Sequence, residues 1–134
     1  MHVISVEPQG FFQALSDPTR IRIVRLLAEE DQEACLCEIA DSLGEPQYKL
    51  SRHLKVLRQS GLLSALKDGR WIYHRLVQGT PFLNSLLDSV RALPDKGKVF
   101  AADQKKFKKR IPLREGGRCR TESTSSKEKS RKVR

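Results

Sequence analysis

Three cysteines carry the reactive chemistry of this sequence: Cys35 and Cys37, separated by one residue, and Cys119. The chain opens without a basic start or a long apolar run, since Met1 to Gly10 holds Glu7 and Pro8. That start is no secretory signal, so a cytoplasmic location is expected. An odd number of thiols in that compartment argues against a disulfide framework. Free thiols there are inert, reactive or metal ligands. Thiolates are soft donors that select thiophilic ions, and a helix N-terminus favours the thiolate form. No other grouping suggests catalysis. There is no Ser-His-Asp set, no Gly-rich phosphate loop and no carboxylate cluster for calcium or magnesium, so the chain is expected not to be an enzyme.

A second constellation is basic. Between Pro46 and Lys67 no acidic residue occurs. Leu50, Leu54 and Leu57 stand at helical spacing, which turns Gln47, Tyr48, Lys49, Ser51, Arg52, Lys55 and Arg58 outward. Gln can pair bidentately with adenine and Arg with guanine, while Ser, Lys and Tyr anchor phosphates. Lys67 and Arg70 flank the tip of a hairpin and are placed to touch an adjacent groove or backbone. His53 and His74 are each expected to be structural, His53 beneath its helix or turn and His74 satisfied within the hairpin.

The elements that must position these residues follow from the same patterns. Gly10 to Leu15 reads as a short helix. Asp17-Pro18 starts a second, with Ile21, Val24, Leu27 and Ala28 on one face and Glu29-Glu30-Asp31 at its exit. A third helix is expected from about Cys35 to Leu43, ended by Gly44. A fourth runs from near Pro46 to Ser60 and is closed by Gly61. The short turn between the third and fourth makes a helix-turn-helix. Leu62 to Lys67 and Arg70 to Val77 read as strands joined at Asp68-Gly69. Gly79-Thr80-Pro81 begins a last helix to Leu93, apolar through Phe82, Leu83, Leu86, Leu87 and Val90. The fold class is therefore mainly α with a β-hairpin wing, a winged helix-turn-helix.

The net charge of +10 is unevenly spread. Residues 1–102 hold 13 Lys/Arg against 12 Asp/Glu, and residues 103–134 hold 13 against 4. Two parts are expected: residues 1–93 as the DNA-binding and dimerisation domain, and residues 94–134 as a basic, disordered tail whose few apolar residues cannot offset ordering entropy. No apolar run is long enough to span a membrane.

Residues 10 to 93 resemble the ArsR/SmtB family of metal-responsive repressors. The resemblance rests on Ala14-Leu15-Ser16-Asp17-Pro18-Thr19-Arg20, on Cys35-Leu36-Cys37-Glu38-Ile39-Ala40, on the run from Leu50-Ser51-Arg52-His53-Leu54 to Gly61-Leu62-Leu63, and on Gly69-Arg70-Trp71-Ile72-Tyr73-His74-Arg75-Leu76. It implies a homodimer joined through its first and last helices, with Phe11, Phe12, Leu15, Phe82, Leu83, Leu86, Leu87 and Val90 at the seam. It implies operator DNA with half-sites about one turn (~10 bp) or somewhat more apart. Within the arsenic-sensing branch, Cys35 and Cys37 fall where the inducer-binding cysteines stand, which implies As(III) or Sb(III), or another soft ion such as Cd(II), as inducer. Ala40 replaces the third cysteine of the best-known pattern. Cys119 is the candidate third sulfur, reached by a tether from Pro94 that spans on the order of 25–30 Å as a coil.

Residues i and i+2 lie about 200° apart around a regular helix. Binding one ion by both sulfurs is therefore expected to unwind the first turn of the third helix and disturb the reading helix after it. Two other readings stay open: a thiol-based redox sensor of the same fold, and a constitutive DNA-binding module that relies on the basic tail.

Overall fold

The computed structural model describes residues 7–116. Its elements follow in order: α1 Pro8–Ala14, α2 Pro18–Glu30, β1 Ala34–Cys35, α3 Leu36–Leu43, α4 Gln47–Ser60, β2 Leu63–Asp68, β3 Trp71–Leu76, α5 Pro81–Arg91 and α6 Val99–Arg110, with a 3-10 turn on either side of α6.

Local chemistry accounts for the boundaries. The Asp17 carboxylate accepts the backbone N–H groups of Thr19 (2.8 Å) and Arg20 (3.1 Å), and Pro18 takes the first helical position, so α2 starts there. Gly44 (φ 67°) stops α3 in the left-handed region and Pro46 turns the chain into α4. The turn therefore needs only Gly44, Glu45 and Pro46. Thr80 caps α5 by accepting the Leu83 N–H at 3.2 Å.

The sheet has the order β1-β3-β2, all antiparallel. The hairpin pairs Leu63 with Leu76 and Asp68 with Trp71. The two-residue turn is thus Gly69-Arg70, one residue later than the sequence reading, because Gly69 supplies a positive φ at the first turn position. The short strand β1 was not foreseen. It adds Ala34 opposite His74 and Cys35 opposite Tyr73, tying the start of α3 to the wing.

Among the described residues the core is a main cluster and a smaller one around Cys35, Cys37 and Tyr73. In the main cluster the helices meet. Ile23, Val24, Leu26 and Leu27 of α2 pack with Ile39 and Leu43 of α3, Leu50, Leu54 and Leu57 of α4, and Leu83, Leu87 and Val90 of α5. This corrects the expected dimer seam. Leu83, Leu87 and Val90 are used inside one chain, because α5 lies against α2, where Arg25 donates to the Val90 carbonyl at 3.2 Å. Phe12 (57% exposed) and Phe82 remain exposed, with Phe11, Leu15 and Leu86 half-buried beside them. The Phe82 ring lies 5.3 Å from that of Phe11 and 6.2 Å from that of Phe12.

A larger correction concerns the chain after Pro94. The disordered tail expected from there does not hold for the described part: Val99–Arg110 is a helix that packs on α3 and α2, and α5 is not the last helix. Phe107 is fully buried in the main core, with Ile111 packed against it. Two ion pairs fasten the same helix. Arg22 of α2 donates to both Asp103 carboxylate oxygens, at 2.8 and 3.0 Å, and Arg110 donates to Asp41 at 2.7 Å. The hydrogen bonds to Asp103, which outweigh burial, hold the Arg22 guanidinium above its ordinary pKa. Among the described residues no helix is long and apolar enough to cross a membrane.

Candidate effector and nucleic-acid site

Cys35 is the last residue of β1 and the N-cap of α3, with extended backbone angles (φ −86°, ψ 166°). It forms a capping box with Glu38: the Glu38 carboxylate accepts the Cys35 N–H at 3.0 Å, and the Cys35 sulfur faces the Glu38 N–H. Cys37 is the second helical residue. Because Cys35 is not helical, the two sulfurs stand 2.9 Å apart. This corrects the expectation that they point to opposite sides. Two sulfurs sharing one ion at about 2.3 Å each are separated by roughly 3.4–3.8 Å. An opening of less than about 1 Å suffices, and α3 need not unwind.

Both cysteines are buried, 1% and 4% exposed, and pack on Tyr73 with Trp71 alongside. Charged residues absent from the sequence-based site surround them: Glu38, Arg114, Arg110 and Asp41. Glu38, with no exposed surface, receives two hydrogen bonds from Arg114, Nε to Oε2 at 2.6 Å and Nη2 to Oε1 at 2.7 Å. Arg114 also donates to the Glu33 carbonyl at 2.8 Å and lies over the Tyr73 ring at 5.6 Å. The hydrogen bonds that Arg114 donates to Glu38 raise the Arg114 pKa against the opposing effect of burial. Arg110, paired to Asp41, donates from Nη2 to the Cys37 sulfur at 3.7 Å. Cys119 lies outside the described residues. It follows Arg114 by five residues, a link of at most roughly 18 Å, which replaces the long flexible tether of the sequence reading.

The reading helix is arranged as its periodicity requires. On α4, Tyr48, Ser51, Arg52 and Lys55 are exposed, while Gln47, Lys49 and Arg58 are half-buried. Lys49 is partly engaged within its own helix region, 3.1 Å from Glu45. Lys67 and Arg70 are exposed on the wing, with the Arg70 guanidinium over Trp71 at 4.8 Å. His53 meets Arg20 (3.4 Å) and Asp17 (3.9 Å), so it braces α4 against the start of α2. A cavity of about 470 Å³ lies between α4 and the wing. Its wall includes Cys35 and Cys37 as well as Gln47, Ser51, Arg58 and Arg70. The thiol residues and part of the reading surface thus border one space.

His74 departs from its expected satisfied state. It is buried on β3 and its Nδ1 has no hydrogen-bond partner among the described residues. Burial, helped by the charge of Arg58, lowers its pKa to about 4. The folded chain then binds fewer protons than the unfolded chain between about pH 6.5 and 4. Stability from this residue is full above pH 6.5 and is lost as pH falls to 4, by about 3 kcal/mol. Urea unfolding of wild type and His74→Leu across that range should show the variant losing less stability on acidification. Identical pH profiles would reject this role.

A short-turned helix pair whose second helix presents a basic exposed face, followed by a two-stranded hairpin, defines a winged helix-turn-helix DNA-binding domain. Residues 17–65 match the model of the family described as bacterial regulatory protein, arsR family. The chain is 45% identical over 74 residues to the arsenical resistance operon repressor of Escherichia coli (strain K12), covering 55% of this chain and 62% of that protein. The match thus spans less than two thirds of that repressor. An uncharacterized HTH-type transcriptional regulator of Methanocaldococcus jannaschii is 42% identical over 66 residues, covering 49% of this chain and 73% of that one. The solved structure of HlyU from Vibrio cholerae N16961 shares the fold at a TM-score of 0.56 and 23% identity, covering 67% of this chain and 94% of that one. The chain belongs to the arsR family, whose members are DNA-binding transcriptional regulators and not enzymes.

Proposed function

We propose that the chain is a homodimeric repressor that binds operator DNA and releases it when As(III) or Sb(III) is captured by Cys35 and Cys37. A soft divalent ion such as Cd(II) is the alternative inducer. The reading residues are Gln47, Tyr48, Lys49, Ser51, Arg52, Lys55 and Arg58, with Lys67 and Arg70 of the wing on the flanking groove or backbone. The partner protomer covers Phe11, Phe12 and Phe82 with Leu15 and Leu86. Cys119 completes a three-sulfur set. The observation that carries the reading is the 2.9 Å approach of two buried sulfurs at the head of the helix that precedes the reading helix.

The relative named as an arsenical resistance operon repressor supports the inducer class. The shared cavity supports the coupling: opening the thiol pair acts on β1, α3 and the wall that holds Gln47, Ser51, Arg58 and Arg70. Coupling between two such sites is typically about 1–3 kcal/mol, a weakening of DNA affinity by roughly 5- to 150-fold, and it is reciprocal.

Fluorescence anisotropy of a labelled operator fragment tests this. Arsenite is expected to release wild type, to release Cys119→Ser less strongly, and to leave Cys35→Ser and Cys37→Ser bound. Specific binding indifferent to arsenite, antimonite and cadmium would sink the metalloid reading. Release by peroxide alone would then favour the redox sensor. Binding without operator preference would favour the constitutive module.

A further inference from the structure

Cys35, Cys37, Glu38 and Asp41 share the first two turns of α3, with Glu38 three residues after Cys35 and Asp41 four after Cys37. Two thiolates and two carboxylates at that spacing form a donor set suited to a divalent soft or borderline cation, which takes four ligands. In this chain both carboxylates are held by arginines from the C-terminal segment. Arg114 forks onto Glu38 through both of that residue's oxygens. Arg110 holds Asp41 at 2.7 Å, with side chains only 3% and 7% exposed, and turns its Nη2 to the Cys37 sulfur at 3.7 Å. Among the described residues no group of three or more His, Cys, Asp or Glu side chains is arranged to hold a metal ion.

We propose that Arg110 and Arg114 set the selectivity of the thiol pair, reserving it for an uncharged trivalent metalloid hydroxide and excluding divalent cations. The inference rests on Cys35 and Cys37 being the effector thiols. Two effects act together. The arginines keep the carboxylates from completing a four-donor shell, and Arg110 sets a positive charge beside the sulfur that an incoming dication must approach. Arsenous acid meets neither obstacle. At Cys35 and Cys37, As(OH)3 and two thiols give (RS)2As–OH and two waters, the stage before a third thiol exchanges the last hydroxide for a third water: at this pair two As–O bonds and two S–H bonds break, two As–S bonds form, and the waters carry away both protons. Arsenic stays trivalent and no charge is created. A divalent cation must instead displace two protons from the same thiols and still find further donors. Arg110 and Arg114 are positioning residues, acting through Asp41, Glu38 and the field at the sulfur.

The test compares affinities of the full chain for arsenite and for Cd2+ in a chelator-buffered titration. The proteins are wild type, Arg110→Gln, Arg114→Gln and Arg110→Lys. Cd2+ binding is followed by thiolate charge-transfer absorbance, and circular dichroism checks that each protein is folded. Cd2+ affinity is expected to rise about tenfold or more in Arg110→Gln and Arg114→Gln, with arsenite affinity moving by less than about threefold. Arg110→Lys keeps the wild-type ratio. Adding Asp41→Asn to Arg110→Gln cancels most of the gain. Where one Gln variant does not fold, the other carries the test, and its Cd2+ affinity must still exceed wild type. Equal movement of both affinities, or no rise for Cd2+, overturns the proposal. If Cys35→Ser and Cys37→Ser bind arsenite as well as wild type, the effector reading itself fails; if they do not and the arginine variants leave selectivity unchanged, only this inference fails.

Discussion

Phe107→Ala is expected to destabilise the chain by about 3–5 kcal/mol, the range for truncating a fully buried phenylalanine. Phe107 has no exposed surface and belongs to the same cluster as Leu26, Ile39 and Leu54. Truncation leaves a cavity where α6 meets α2 and α3. It also loosens the frame that holds Asp103 on Arg22 and Arg110 on Asp41. Urea unfolding would read this as a lowered midpoint with little change in slope. Lys105→Ala and Lys108→Ala, on the exposed side of the same helix, should stay within about 0.5 kcal/mol of wild type. If Phe107→Ala is as mild as the lysine variants, α6 is an appendage and Phe107 is not part of the core. The larger loss would place the C-terminal helix in the cooperative unit, so that a disturbance at α3 is felt along it.

The parts legible in the sequence were those fixed by local chemistry. Asp17-Pro18 started a helix because a carboxylate and a proline suit its first positions, and Gly44 and Gly61 ended helices because each takes a positive φ. The outward face of α4 followed from Leu50, Leu54 and Leu57. The wing was misplaced by one residue because Asp68-Gly69 and Gly69-Arg70 are both acceptable two-residue turns, and pairing across the strands decides between them.

What was missed depends on contacts far apart in the chain. Lys105 to Arg110 reads as a solvated charge run. Yet Asp103, Phe107 and Arg110 fall at i, i+4 and i+7, and that spacing was the available signal for a buried face. Their partners are Arg22, the main core and Asp41, which no local pattern names. The thiol geometry departs from the sequence expectation for a different reason. Treating Cys35 as helical put the sulfurs on opposite sides, whereas Cys35-x-x-Glu38 has the spacing of a capping box, with cysteine in the place of serine or threonine. A cap residue leaves the helix axis, and that brings Sγ of Cys35 to Sγ of Cys37.

Glu38→Ala is the second change expected to have a large effect. Glu38 accepts three hydrogen bonds in a fully buried position, one from the Cys35 N–H and two from Arg114. Its removal leaves a mostly buried guanidinium without its counter-charge and a cap N–H without its acceptor. Losing one member of such a pair costs about 3–5 kcal/mol, much of it the penalty on the charge left behind. Glu38→Gln keeps an acceptor for Cys35 and should cost less. The two variants separate the cap from the ion pair. If stability follows the charge alone, Gln and Ala will be equally damaging. If the cap matters, Gln will retain the paired sulfurs, read as cross-linking of Cys35 to Cys37 by a bifunctional trivalent arsenical, while Ala loses it. Because the same carboxylate fixes the Cys35 backbone and anchors Arg114, the site cannot be loosened at Glu38 without also loosening the C-terminal segment from α3. That is the structural reason to regard the thiol pair and the end of the fold as one unit.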